Sequence, residues 1–140
     1  MTDHIDLARF YDLAASPDDL RRLEEAGPVL VINHFALRDE ADYEDVDPPA
    51  STGLEALLRY SAVSGERLDA VGGTFIDQIV APVQLWGTER WDVVVTAAYP
   101  SGRALLDLLR DDDYRAAYRH RRAAVARQLV TVGLRPDPGS

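Results

Sequence analysis

Val29-Leu30-Val31-Ile32-Asn33-His34-Phe35-Ala36 is the stretch on which the fold turns. It is too short for a helix and rich in β formers, so it predicts a strand. It is apolar on both faces, so neither face is built to meet water. Downstream, Ser51-Thr52-Gly53 opens a helix that runs to about Ala70, with Leu54, Leu57, Leu58 and Leu68 turned inward, and Gly72-Gly73 ends it. Thr74 to Trp86 reads as an extended strand bent near Pro82, because proline belongs at edges and bulges. Gly87 to Arg90 makes a turn, and Trp91 to Tyr99 is a third strand. Ser101, after Pro100, is placed to cap a helix carrying Leu105, Leu106, Leu108 and Leu109. Asp111-Asp112-Asp113 interrupts or recaps that helix, which resumes from Tyr114 to about Arg127; Gln128 to Val132 is the last strand. From residue 29 the order is therefore β-α-β-β-α-β. It predicts an α+β, ferredoxin-like fold: an antiparallel sheet with helices on one face. The bare face needs a cover, and the sheet of a second copy is the natural one, giving a homodimer.

Residues 1–28 form an extension in front of this unit. His4 to Ala15 reads as a short helix with Leu7, Phe10, Tyr11 and Ala14 on one face. Ser16 caps a second helix, with Pro17 in its first turn and Asp18 and Asp19 at the positive end of its dipole, and Gly27-Pro28 stops it. Such short helices do not stand alone in water. Leu7, Phe10, Tyr11, Leu20 and Leu23 must bury against the barrel, over its helices or across the dimer, where they would narrow a pocket mouth. Residues 38–53 form a long acidic loop, and residues 134–140 a loose tail around the main unit, 29–133.

Composition narrows the function. The chain has 140 residues, the size of one domain, and no cysteine, so disulfides, thiolate metal sites and cysteine nucleophiles are excluded. All 15 basic residues are Arg, which excludes Schiff-base chemistry by a lysine. The net charge is −9, which argues against nucleic acid as a partner. The charge is uneven: residues 114–140 hold one acid and six Arg. No apolar run reaches membrane-spanning length, and Asp3 and Asp6 stand where a signal peptide would be basic, so a cytoplasmic protein is expected. The acidic loop lacks the turn glycine and closing Glu of a calcium loop, and the histidines lack zinc spacing, so no metal site is expected.

The sequence resembles the dimeric α/β-barrel superfamily and, within it, the small proteins of domain of unknown function 1330. The likeness covers about residues 29–133. It is carried by Tyr60 with Leu68-Asp69-Ala70-Val71-Gly72-Gly73-Thr74-Phe75, by Trp91 to Val95, by Tyr99-Pro100-Ser101, and by Tyr114-Arg115-Ala116-Ala117 with Arg121. It departs in the extension, in the longer acidic loop, and in Tyr118, His120 and Arg122. The superfamily includes cofactor-free monooxygenases, polyketide cyclases, haem-degrading enzymes and non-catalytic members, so the resemblance implies the fold more firmly than a function.

His34 is a candidate general base, since histidine titrates near neutrality and superfamily members often place a polar residue of this strand in the pocket; its alternative is a hydrogen-bonded core or interface histidine. Asn33 points to the opposite face, so only one of the two shares a given cavity. Tyr114, Tyr118 and Arg121 fall on one helical face and could hold an enolate, phenolate or carboxylate, unless the Arg simply pairs with the acidic loop or caps carbonyls. His120 and Arg122 flank them as further binding candidates. His120 could alternatively ligate haem, as a helix histidine does in the haem-degrading branch. Tyr60 and Tyr99 would wall an apolar pocket. These residues lead to two readings. One is a small cofactor-independent enzyme (cyclase, isomerase or monooxygenase) acting on an apolar aromatic or polyketide-like molecule, with His34 as base and Tyr118 and Arg121 as oxyanion holders. The other is a non-catalytic binding or scaffold protein on the same fold.

Overall fold

The computed structural model describes residues 2–44 and 51–135. Asp45 and Asp47 of the acidic loop and the end of the tail lie outside the described residues. The helices start where the sequence supplies caps. Ser16 and Thr52 form capping boxes with Asp19 and Glu55, opening α2 (Pro17–Glu25) and α3 (Gly53–Ala70). Ser101 caps α4 (Gly102–Arg110) through the amide of Ala104. Asp111 closes α4 and caps α5 (Asp112–Ala124), its carboxylate accepting from the Tyr114 amide at 2.8 Å. Arg67 of α3 grips the same carboxylate through two nitrogens, at 3.1 and 2.9 Å, so one aspartate ties three helices together.

The strands β1 (Val29–Leu37), β2 (Thr74–Val80), β3 (Val93–Tyr99) and β4 (Val125–Leu134) form one antiparallel sheet in the order β2-β3-β1-β4. This is the predicted ferredoxin-like α+β arrangement. Val29, Val31 and Phe35 are buried on the helix side, beneath Ala56, Leu57, Tyr60, Tyr114 and Tyr118. The opposite face is left open, and β2 is exposed throughout.

Some expected bounds and facings are corrected. The β2 strand stops at Val80, not Trp86. Ala81 turns left-handed (φ 52°), and its N–H bonds the Asp92 carbonyl at 2.9 Å, closing a loop. Val83, Leu85 and Trp86 stand out from that loop, 91, 78 and 81% exposed. The last helix ends at Ala124, not Arg127, because the amides of Arg38 and Asp42 take the carbonyls of Ala124 and Ala123. Val125 and Arg127 then pair with Leu37 and Ala36 of β1. In α3, Leu57 and Leu68 point inward, but Leu54 and Leu58 are exposed: the inward stripe is Ala56, Leu57, Tyr60, Ser64 and Leu68, which leaves 54 and 58 on the outer side.

The extension folds onto the helix layer of its own chain. It consists of α1 (Thr2–Tyr11) and α2, with α1 ending short of the expected Ala15 because Asp12 takes a positive φ of 54°. Leu7 and Leu20 are 0 and 2% exposed, and the Tyr11 hydroxyl donates to the Leu109 carbonyl at 2.7 Å. Gly102 makes the junction: its N–H bonds the Ala26 carbonyl at 3.1 Å, and a β-carbon there would collide with the backbone of Leu23. Arg110 clamps the outside, pairing with Asp3, Glu24 and Asp107. Two tests follow from this packing. Leu7→Ala is expected to lower stability by about 2–5 kcal/mol in denaturant unfolding, the range for a deep cavity. Removing residues 1–26 is expected to lower the melting temperature and increase binding of a hydrophobic dye; an unchanged melt would mean that the hairpin does not support the domain.

Candidate functional site

Three side chains of α5, Tyr114, Tyr118 and Arg121, point into the layer between helices and sheet, as their spacing predicts. Arg121 lies at the centre, 7% exposed. Its NH1 donates to the Tyr60 hydroxyl of α3 at 3.0 Å, and NH2 donates to Asn33 Oδ1 of β1 at 3.3 Å. Nε and NH2 both donate to Gln128 Oε1 of β4, at 3.1 and 2.7 Å. The rings of Phe35, Tyr60 and Tyr118 surround the guanidinium, with centroids 4.6, 5.4 and 5.3 Å away. Behind it, the Tyr60 and Tyr114 hydroxyls share a 2.6 Å hydrogen bond.

All of these acceptors are neutral. Among the described residues, no carboxylate pairs with Arg121. Burial works against its charge, but the phenol oxygens of Tyr60, Tyr114 and Tyr118 around it and the hydrogen bond to Tyr60 outweigh it and keep the guanidinium protonated. Burial, reinforced by Tyr60, holds the Tyr114 phenol well above its ordinary value, so it stays a neutral hydroxyl. The Tyr99 phenol is pushed up for the same reason. A charge removed from water without an opposite charge is costly, and π faces and amide oxygens offset only part of that cost.

The Arg121 site opens into a cavity of about 380 Å³ lined by Tyr11, Asp12, Tyr118, Arg121, Arg122, Val125, Ala126 and Gln128. Tyr11 and Asp12 come from the end of α1, so the extension does shape the pocket mouth. A second cavity, of about 430 Å³, lies between α1 and α2 and contains none of the candidate site residues named from the sequence.

The predicted site residues divide between two faces of the sheet. Asn33, Tyr60, Tyr114, Tyr118 and Arg121 are brought together, and Arg122 stands at the cavity mouth, stacked on Phe10 and Tyr118 at 4.7 and 5.0 Å. Tyr99 is buried on the same side of the sheet, opposite Val29. His34 is not part of this cavity. Alternation along β1 sends Asn33 and Phe35 to Arg121 and His34 to the open face, where its ring lies 5.5 Å from Trp91. Its Nδ1 is buried without a hydrogen-bond partner among the described residues. His120 is also elsewhere: its Nδ1 meets the Tyr43 hydroxyl at 2.7 Å, and Arg59 donates to that hydroxyl at 3.0 Å. Burial, with Arg119 and Arg59 nearby, holds the His120 imidazole below its ordinary value.

Gln128 and Asp12 were missed by sequence reasoning. Gln128 faces Arg121 because β4 is bulged at Ala126: Val125 pairs with Leu37 but Arg127 with Ala36, which sets Gln128 opposite Phe35 on the helix side, and Asp12 lines the cavity because α1 ends beside α5. The structure also gathers Asp3, His4 and Glu24 within 4.8 Å of one another, a grouping that suits a cation, but the Arg110 guanidinium already pairs with Asp3 and Glu24.

The family described as domain of unknown function (DUF1330) matches residues 50–133, more than half of the chain. The chain belongs to the DUF1330 family. A solved protein of unknown function from Rhodopseudomonas palustris is 31% identical to it, with 89% of this chain and 96% of that one covered and a TM-score of 0.76. A structure of a methylated form gives a TM-score of 0.77 over 90 and 96%, at 31% identity. A DABB-family protein with a ferredoxin-like fold from Mesorhizobium loti shares the fold at 16% identity and a TM-score of 0.51, covering 79 and 99%. A dimeric protein of unknown function with a ferredoxin-like fold from Bacteroides fragilis does so at 14% and 0.50, covering 77 and 96%. No curated protein matches. No described helix of this DUF1330 protein is long and apolar enough to cross a membrane.

The lowered His120 value has a consequence for stability. The unfolded chain takes up this proton first, so the contribution of neutral His120 is present above about pH 6.5 and is lost as the solution is acidified below it. Between about pH 7.5 and about pH 5.5, the wild-type melting temperature is expected to fall more than that of His120→Gln. Parallel pH profiles would contradict this assignment.

Proposed function

We propose that this DUF1330 protein binds a small organic anion in the Arg121 cavity, with a carboxylate, enolate or phenolate oxygen on the guanidinium. The single observation behind this reading is a buried arginine whose partners are a tyrosine hydroxyl and two side-chain amides. Such a fork recognises planar oxyanions, and an anion there would supply the missing opposite charge. The body of the ligand would lie against Tyr11, Tyr118, Val125 and Ala126. The position of His34 favours binding over acid/base turnover with that residue as base. If a bound molecule does react without a cofactor, Arg121 and Tyr118 would hold its oxyanion, and Asp12 is the carboxylate placed at the cavity to take a proton.

We also infer that two copies pack sheet to sheet. The support is the open face, where Ile79 and Leu129 are exposed, together with the protruding Val83, Leu85 and Trp86. The Bacteroides fragilis neighbour is described as dimeric. Sedimentation is expected to give a dimer at micromolar concentration, and Trp86→Asp is expected to shift it toward monomer. A wild-type protein that sediments as a stable monomer would exclude this assembly.

The anion reading is tested by thermal shift with benzoate and hexanoate, using chloride at equal ionic strength as the control. Both organic anions are expected to raise the wild-type melting temperature, and Arg121→Lys, which keeps the charge but loses the planar fork, is expected to lose most of that shift. No shift in the wild type would overturn the reading.

A further inference from the structure

We propose that the side chain of Gln128 is a displaceable stand-in for the ligand's carboxylate, and that the ligand is a planar monocarboxylate that enters by pushing it out. This rests on reading the Arg121 cavity as an anion site. The guanidinium has two kinds of contact. On its inner side, Tyr60 and Asn33 are themselves anchored: the Tyr60 hydroxyl is 2.6 Å from that of Tyr114, and Asn33 Nδ2 donates to the Val95 carbonyl at 3.2 Å. On its cavity side, a single oxygen, Gln128 Oε1, receives both Nε and NH2. That edge carries two parallel N–H groups, the pair that a carboxylate takes with one oxygen each. An amide must divide one neutral oxygen between them.

Gln128 is also free to leave. It is exposed, and it sits on β4 at the edge of the sheet, so rotating its side chain outward breaks no ladder hydrogen bond. Its remaining tether is a 3.3 Å hydrogen bond from Nε2 to the Tyr118 hydroxyl. When Gln128 swings out, the Tyr118 hydroxyl becomes available to the same carboxylate. The amide therefore covers the buried charge in the empty protein and yields to a ligand that covers it better.

Two variants at this exposed position separate the idea from alternatives, with benzoate as the probe in calorimetric titration. Gln128→Ala removes the competitor and is expected to bind benzoate roughly tenfold more tightly than wild type. Gln128→Glu places a tethered carboxylate on the same edge; it is expected to abolish benzoate binding and to melt above the wild type with no ligand present. If benzoate binds wild type, weakens with Arg121→Lys, but binds both Gln128 variants as it does wild type, the anion site stands and displacement is wrong. If benzoate binds neither wild type nor Gln128→Ala, the anion reading itself falls and takes this one with it. A Gln128→Glu protein that melts at or below wild type would overturn the proposal independently of any ligand, because a carboxylate would then not fit the edge that Gln128 occupies.

Discussion

A guanidinium held out of water imposes the strongest constraint in this molecule. Arg121 is charged and buried, and among the described residues it is answered only by neutral groups. Its hydrogen bonds reach α3 through Tyr60, β1 through Asn33 and β4 through Gln128, so one side chain of α5 stitches a helix and two strands together. Hydrogen bonds to a charged group are stronger than neutral ones, but they do not supply an opposite charge. The interior is therefore organised around a charge that is well positioned and poorly compensated, a combination that suits binding better than stability.

The sheet gives its two faces different tasks. One face meets α3 and α5 and carries Asn33 and Phe35 to the arginine. The other carries His34 and, with the loop after β2, leaves apolar side chains exposed. The N-terminal hairpin completes the helix side. Gly102 allows the close approach of α4 to α2, and Tyr11 reaches the Leu109 carbonyl, so the end of α1 arrives at the cavity as a consequence of packing. The Arg121 cavity and the packing of the hairpin thus meet at that single element.

Much was legible in the sequence where the physics is local. The caps at Ser16, Thr52 and Ser101, the break and restart at Asp111, and the grouping of Tyr114, Tyr118 and Arg121 follow from hydrogen-bonding chemistry and a helical period acting within a few residues. The β-α-β-β-α-β order likewise follows from short-range patterning, and it determined the fold. That Asn33 and His34 face opposite sides was also readable, because alternation is a property of any strand.

Tertiary structure alone decided which of those sides holds the arginine, because a strand apolar on both faces carries no mark of which one the helices cover. It likewise ended the last helix at Ala124, where amides from a distant loop capture the final carbonyls, against a local pattern that continued to Arg127. The bulge at Ala126 in β4 is what turned Gln128 toward the guanidinium, and ending α1 at Tyr11 is what brought Asp12 to the cavity. The sequence by itself determined the elements, their order and the helix face bearing the arginine. The partners of that arginine were left to long-range packing, since contacts between residues tens of positions apart leave no periodic trace in either segment.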